Sequence, residues 1–166
     1  RRAEIVYGEE VETFDEDDHI EDYPVLIFLT QEGYFKKITP ASWRMSSEHK
    51  LKDGDTVCWE TETTNKQEII FFTNMQQAYK AHLYDFDDTK ASVLGDYLPQ
   101  KLGMDEGETS VYAVLPGDYK GSMVIVFENG KAARFSLESF ETKTNRRRLT
   151  GAYSDKSPAV AFFYPV

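Results

Sequence analysis

The chain of 166 residues has one cysteine, Cys58, so no disulfide can form within it, and a single thiol of this kind fits a reducing compartment. It has no long apolar run. Runs such as Val25 to Leu29 and Ile69 to Phe72 fall far short of the roughly 18 residues that a membrane span requires. No signal peptide is apparent, and a start at Arg1 rather than Met suggests an excised or processed segment. His19, His49 and His82 have no zinc spacing, and no glycine-rich Lys-Ser/Thr loop for a nucleotide is present. No catalytic constellation and no metal or cofactor site is therefore expected in this segment.

Positive charge is also scarce. The formal net charge is -10, with 19 basic against 29 acidic residues. Ten of those acids lie within residues 1 to 22 (Glu4, Glu9, Glu10, Glu12, Asp15, Glu16, Asp17, Asp18, Glu21 and Asp22), against only Arg1 and Arg2. From Tyr23 onward the balance is 17 basic to 19 acidic residues. Residues 1–22 read as an acidic linker, and residues 23–166 as a nearly neutral domain whose basic residues can still bind a polyanion if they share a face.

What the chain does contain is a repeat. Val25 to Trp43 reads as an apolar, β-branched and aromatic run, a polar turn, a second run with interleaved polar residues, and an aromatic plug. A slide of 43 positions lays Thr30 on Thr73, Lys37 on Lys80 and Trp43 on Phe86; a slide of 97 lays Gly33 on Gly130, Lys37 on Arg134 and Trp43 on Phe140. Each copy reads as a β-hairpin. Asn129-Gly130 is the strongest turn, because glycine reaches positive φ without a Cβ clash; Asn74-Met75-Gln76-Gln77 lacks glycine and is the weakest.

A second landmark is Asp53-Gly54-Asp55, matched 53 positions on by Glu106-Gly107-Glu108 and leading each time into another strand. These periods predict an all-β, propeller-like array of about three four-stranded blades, approximately 23–67, 68–121 and 122–166, each relying on its neighbours to bury its faces. Two strands of each blade come from the hairpin and two from the stretch after it. Arg44 to Lys52 reads as a polar surface loop, 85–103 as an irregular crossing in which Asp87 to Leu94 is the one candidate helix, and Trp43, Phe86 and Phe140 as core plugs.

Thr30-Gln-Glu-Gly-Tyr-Phe-Lys-Lys37, its second instance Thr73 to Lys80, the Glu-Gly-Glu at 106 to 108 and the entry segment Arg1-Arg-Ala-Glu-Ile5 together resemble the C-terminal, DNA-wrapping domain of the A subunit of bacterial type IIA topoisomerases, gyrase and topoisomerase IV. The resemblance covers the whole chain. It implies a β-pinwheel whose neighbouring blades exchange strands, with duplex DNA bent around a basic rim and presented to an upstream cleavage core. It also implies partners and cofactors of the parent enzyme: a B subunit, an A-subunit homodimer, ATP and Mg, in the cytoplasm. The catalytic tyrosine of the family lies upstream, so the enzymatic chemistry belongs to the parent and not to this segment. Gyrase carries a Gln-Arg-Arg-Gly-Gly-Lys-Gly box after its first hairpin, and Arg44 to Lys52 has no such run; a topoisomerase IV-like or divergent gyrase-like paralogue fits better.

The DNA-contact candidates are Lys36, Lys37, Arg44, Lys80, Arg134, Arg146, Arg147 and Arg148. Lys37, Lys80 and Arg134 hold one register, and a repeat that turns about an axis would place them along a common outer edge. Two alternatives stay open: that they are strand lysines which discourage edge pairing, and that the domain is a protein-interaction module without DNA binding.

Overall fold

Strand β1 (Pro24–Thr30) turns back into β2 (Tyr34–Ile38) through a tight reversal at Gly33, whose φ of +98° favours glycine. Gly33 N donates to Thr30 O at 3.1 Å, and Thr30 Oγ1 accepts from Tyr34 N at 3.0 Å, so the threonine that opens the turn also closes it. The computed structural model describes residues 19–141 and the strand segments 148–149 and 159–163.

The reversal recurs between β4 (Glu68–Thr73) and β5 (Ala78–His82), and between β9 (Ser122–Phe127) and β10 (Ala132–Ser136). Gly130 takes φ +83° in the third turn. In the second turn, which has no glycine, Gln76 adopts φ +58°. A residue with a Cβ held there costs about 1–2 kcal/mol. Asn74 braces this turn, its side chain donating to Gly107 O at 3.1 Å and accepting from Thr109 N at 2.9 Å.

A third strand extends each hairpin: β3 (Val57–Thr64) on β1, β8 (Ser110–Val114) on β4, and β12 (Ala159–Phe163) on β9, all antiparallel. Their registers superpose. Ile27 pairs with Lys37, Ile70 with Lys80 and Val124 with Arg134. The irregularity in the third strand also recurs, between Leu29 and Thr30 on β1, between Phe72 and Thr73 on β4, and between Ala159 and Ala161 opposite the end of β9.

A helical turn follows each hairpin: the short helix α1 (Pro40–Met45), and the 3-10 turns Leu83–Asp85 and Leu137–Phe140. Thr39 and Ser136 cap theirs through side-chain oxygens, while His82 N donates to the Asp85 carboxylate at 3.0 Å. These turns deliver the aromatic plugs. Phe86 and Phe140 are buried, and Trp43 is half-buried against Phe28, ring centroids 4.8 Å apart.

The outer strands are borrowed from the following unit. Strand β6 (Asp88–Thr89) lies parallel to β2, β7 (Asp96–Tyr97) pairs antiparallel with the start of β2, and β11 (Arg148–Leu149) pairs with β5. The described fold is thus an all-β set of three sheets with strand exchange. Two expectations are corrected here. Among the described residues each unit supplies three strands of its own sheet, and the outer strand of the first and second sheets comes from the following unit rather than from the same one. And 87–94 is not a helix but β6 and a turn, because Asp88 is held extended by pairing with Lys37 and by the Tyr23 hydroxyl at 2.8 Å. The only helix besides α1 among the described residues is α2 (Leu98–Lys101), and none is long and apolar enough to cross a membrane.

The core runs between the sheets. Val25, Ile27 and Leu29 of β1 meet Ile69 and Phe71 of β4, with Phe35, Phe86 and Leu98 filling the seam. The opposite face of β4 places Ile70 and Phe72 against Met123, Leu137 and Phe140. A continuous apolar run is what a strand buried on both faces requires, whereas Ser122–Phe127 alternates buried and half-buried positions because, among the described residues, only one of its faces is fully covered. Phe72→Ala should cost about 3–5 kcal/mol in chemical denaturation, against about 1 kcal/mol or less for Val124→Ala on the open face of β9.

Candidate nucleic-acid interface

The register that aligns Lys37, Lys80 and Arg134 carries them to different environments. Lys37 is buried, 3% exposed, with its amine donating to Asn65 Oδ1 at 2.7 Å and Leu83 O at 3.1 Å and pairing with the Asp88 carboxylate at 3.3 Å. Lys80 is 9% exposed, 3.9 Å from the Glu68 carboxylate and 5.1 Å from the centre of the Tyr119 ring. Arg134 is exposed, its Nε donating to Ser122 Oγ at 3.1 Å. The expectation of three exposed cations on one outer edge is therefore overturned. In the first two sheets this face is covered by the next unit, and the amine is enclosed by carbonyls and carboxylates of that seam; β10 has no such cover among the described residues.

Lys36, on the other face of β2, is also buried and not a surface cation. Its amine donates to Lys50 O at 2.9 Å and Ala91 O at 3.0 Å and meets His49 Nδ1 at 3.1 Å. Burial lowers its pKa, partly offset by the negative charge of Asp55. Arg44, at the end of α1, is exposed. Arg148 is placed only as backbone in β11, and Arg146, Arg147 and the acidic residues 1–18 lie outside the described residues.

Further exposed cations, outside the strand register, sit on the connections. Lys50 and Lys52 follow α1, and Lys90 is in the turn after β6, with Lys50 N donating to Ala91 O at 2.8 Å. Their signal in the sequence is the pair of lysines within the polar loop; a slide of 43 lays Lys50 and Lys52 on Val93 and Gly95, so an alignment of the first two copies passes over them. Lys52 lies 5.9 Å over the Tyr34 ring.

The acidic turns are structural. Glu108 is buried and accepts from Gln77 Nε2 at 2.7 Å, Tyr79 OH at 2.8 Å, Asp105 N at 2.9 Å and the Thr73 hydroxyl. Asp55, its counterpart, accepts from Glu32 N at 3.0 Å and Thr56 N at 2.8 Å. Each carboxylate thus fastens the third strand to the hairpin turn of its own sheet. The Tyr23 phenol, which donates to Asp88, is pushed up to about 12 by burial and then by that carboxylate; burial and Glu68 likewise raise Tyr119. Among the described residues no group of three or more His, Cys, Asp or Glu is placed to hold a metal ion.

The A subunit of DNA topoisomerase 4 from Staphylococcus epidermidis is 26% identical over 141 residues, covering 82% of this chain and 18% of that protein. The A subunit of DNA gyrase from Borreliella burgdorferi is 20% identical over 165 residues, covering 94% of this chain and 20% of that protein. The relatives of this chain are the A subunits of topoisomerase IV and gyrase. The matches fall in their C-terminal region. Among solved structures, the crystal structure of the C-terminal domain of DNA topoisomerase IV superposes with a TM-score of 0.76 at 21% identity, over 87% of this chain and 46% of that one. The DNA gyrase A C-terminal domain gives 0.63 at 18% identity, over 95% and 60%. These confirm the all-β fold. No family model matches the chain. The chain spans about a fifth of the curated relatives it matches and about half of the solved domains.

Burial, and then the nearby Lys36 ammonium, hold the His49 imidazole below its usual value, with Glu60 opposing. Protonation therefore favours the unfolded chain, and the stability this site contributes is present above the usual histidine range and is lost as pH falls through and below it. Urea titrations at pH 7.5 and pH 5 should show the stability gap between wild type and His49→Gln shrinking at the lower pH; a constant gap would refute the assignment.

Proposed function

We propose that this chain is part of the C-terminal domain of a type IIA topoisomerase A subunit, and that it binds and bends duplex DNA for the cleavage core of its parent protein. The observation that carries the reading is the three-fold hairpin register joined to relatives that are gyrase and topoisomerase IV A subunits over this region. An A-subunit homodimer, a B subunit, ATP and Mg belong to the parent enzyme in this reading, and the cytoplasm is its compartment.

Contact with DNA is made by the connections and the open third sheet, through Arg44, Lys50, Lys52, Lys90 and Arg134, with Arg146, Arg147 and Arg148 on the crossing that follows the third hairpin. Such contacts neutralise phosphates and release counterions while reading little sequence. Bending stiffness opposes them, at a cost of order several kcal/mol for a sharp bend. A few cations among many acids give weak binding and a shallow salt dependence, on the order of three to five released ions.

The second reading is a protein-interaction module. It is favoured by the internal use of Lys36, Lys37 and Lys80 and by the net charge of -10. Fluorescence anisotropy with a short linear duplex across a salt series separates the two. Replacing Arg44, Lys50 and Lys52 with Ala should lower the slope of log affinity against log salt by about one for each phosphate no longer neutralised. Lys37→Met, which removes an amine already enclosed, should leave the slope unchanged wherever the protein is folded. Undetectable binding by wild type, or a slope indifferent to the three connection residues, would leave the interaction module standing.

A further inference from the structure

Lys36 does not belong to the repeat. The same register holds Tyr79 in the second unit, where the hydroxyl reaches Glu108, and Ala133 in the third. Its amine is buried with three acceptors that are all neutral: His49 Nδ1, Lys50 O and Ala91 O. Among the described residues no carboxylate lies within ion-pair distance of it. A buried ammonium on which an opposing charge, that of Asp55, acts only from beyond ion-pair distance is a costly way to fill a core position, and an apolar side chain of similar length would serve the sheet alone better.

The three acceptors come from two segments that cross over β2. One is the connection after α1, which bears the exposed Lys50 and Lys52; the other is the turn after β6, which bears the exposed Lys90. Lys50 N to Ala91 O, at 2.8 Å, is the direct bond between them. The turn is drawn close at Gly95, φ +94°, where a Cβ would lie 2.5 Å from Phe35 O and 2.7 Å from Lys36 Cγ. From the other side the His49 ring is held edge-on against Phe28 at 4.5 Å and tilted against Trp43 at 5.1 Å.

We propose that Lys36 is a positioning residue for DNA contact: its buried amine fastens residues 49–50 to the 91–95 turn, so that Lys50, Lys52 and Lys90 meet the phosphate backbone as one preset group. This rests on the DNA-binding reading. A preset group loses less freedom on binding than three independent lysines, and so binds more tightly at equal charge. Lys36 touches no DNA itself. Its effect passes through the cations of the two segments.

The test uses the 166-residue chain and a short linear duplex, with Lys36→Met and, as a second variant that leaves β2 untouched, His49→Phe, which keeps the ring contacts and deletes the Nδ1 acceptor. Amide hydrogen exchange without DNA should show the Lys50 amide exchanging at least about tenfold faster in Lys36→Met, with the Tyr79 amide unchanged. Affinity at low salt should fall roughly tenfold in Lys36→Met and less in His49→Phe, and the salt slope should fall by about one. In a Lys50→Ala, Lys52→Ala background the same substitutions should have little further effect, because the residues act through each other. Wild-type affinity and slope in both variants would overturn the proposal, as would a weakening that persists undiminished in that background. If wild type binds no duplex at all, the DNA reading itself falls and the positioning role with it, whatever the exchange data show of the latch.

Discussion

Burial of both faces of β4 is the constraint on which the other elements depend. Ile69 and Phe71 need one partner sheet, Ile70 and Phe72 another, and their own hairpin supplies neither. The first sheet provides one cover and the third sheet the other, with Phe86 and Phe140 arriving from the helical turns to close the seams at 4.7 Å from Phe35 and 5.3 Å from Phe72. A hairpin of this size has too little apolar area to fold by itself. The array is cooperative for that reason, and strand exchange strengthens the coupling by giving β2 and β5 their outer partners from the following unit.

The same geometry explains the lysines. A cation at one register of three homologous hairpins would form a stripe on an uncovered array, but a seam converts it into an internal tie. Lys37 joins β2 to Asn65, at the end of the first unit, and to Leu83 and Asp88 of the second. Lys80 performs the corresponding task toward Glu68 and Tyr119, the latter just before the third unit begins. Only where cover ends, at Arg134, does the register face water. Periodic charge is thus evidence of repeated structure first, and of a binding surface only once the cover over each copy is known.

Much of the fold was legible because hairpin registers follow directly from spacing. The slides of 43 and 97 residues align the pairs Ile27 with Lys37, Ile70 with Lys80 and Val124 with Arg134 as they occur, and the plugs Phe86 and Phe140 lie where the repeat put them. The all-β architecture was legible too. Less legible were features decided by contacts distant in sequence. Asp87 to Leu94 has a helix-compatible composition, yet β6 forms there because Lys37 and Tyr23 hold Asp88. The burial of Lys36 was invisible because its acceptors include backbone carbonyls, which leave no trace in residue type. The short helix α1 was not anticipated, although Thr39-Pro40 is a good helix start, and the loop read from Arg44 onward overlaps its end.

A separation of tasks follows from where the charges lie. The hairpins of the covered sheets use their register cations to hold the seams together, so a further hairpin of the same kind adds core without adding exposed charge. The connections behave in the opposite way: Arg44, Lys50, Lys52 and Lys90 are exposed, and none belongs to a buried cluster. Changes of charge there leave the seams untouched, so under the proposed DNA-binding function affinity can vary while the stability of the array stays nearly fixed. Lys36 is the point at which the two tasks meet, a core position whose hydrogen bonds are made to a basic connection rather than to a neighbouring sheet.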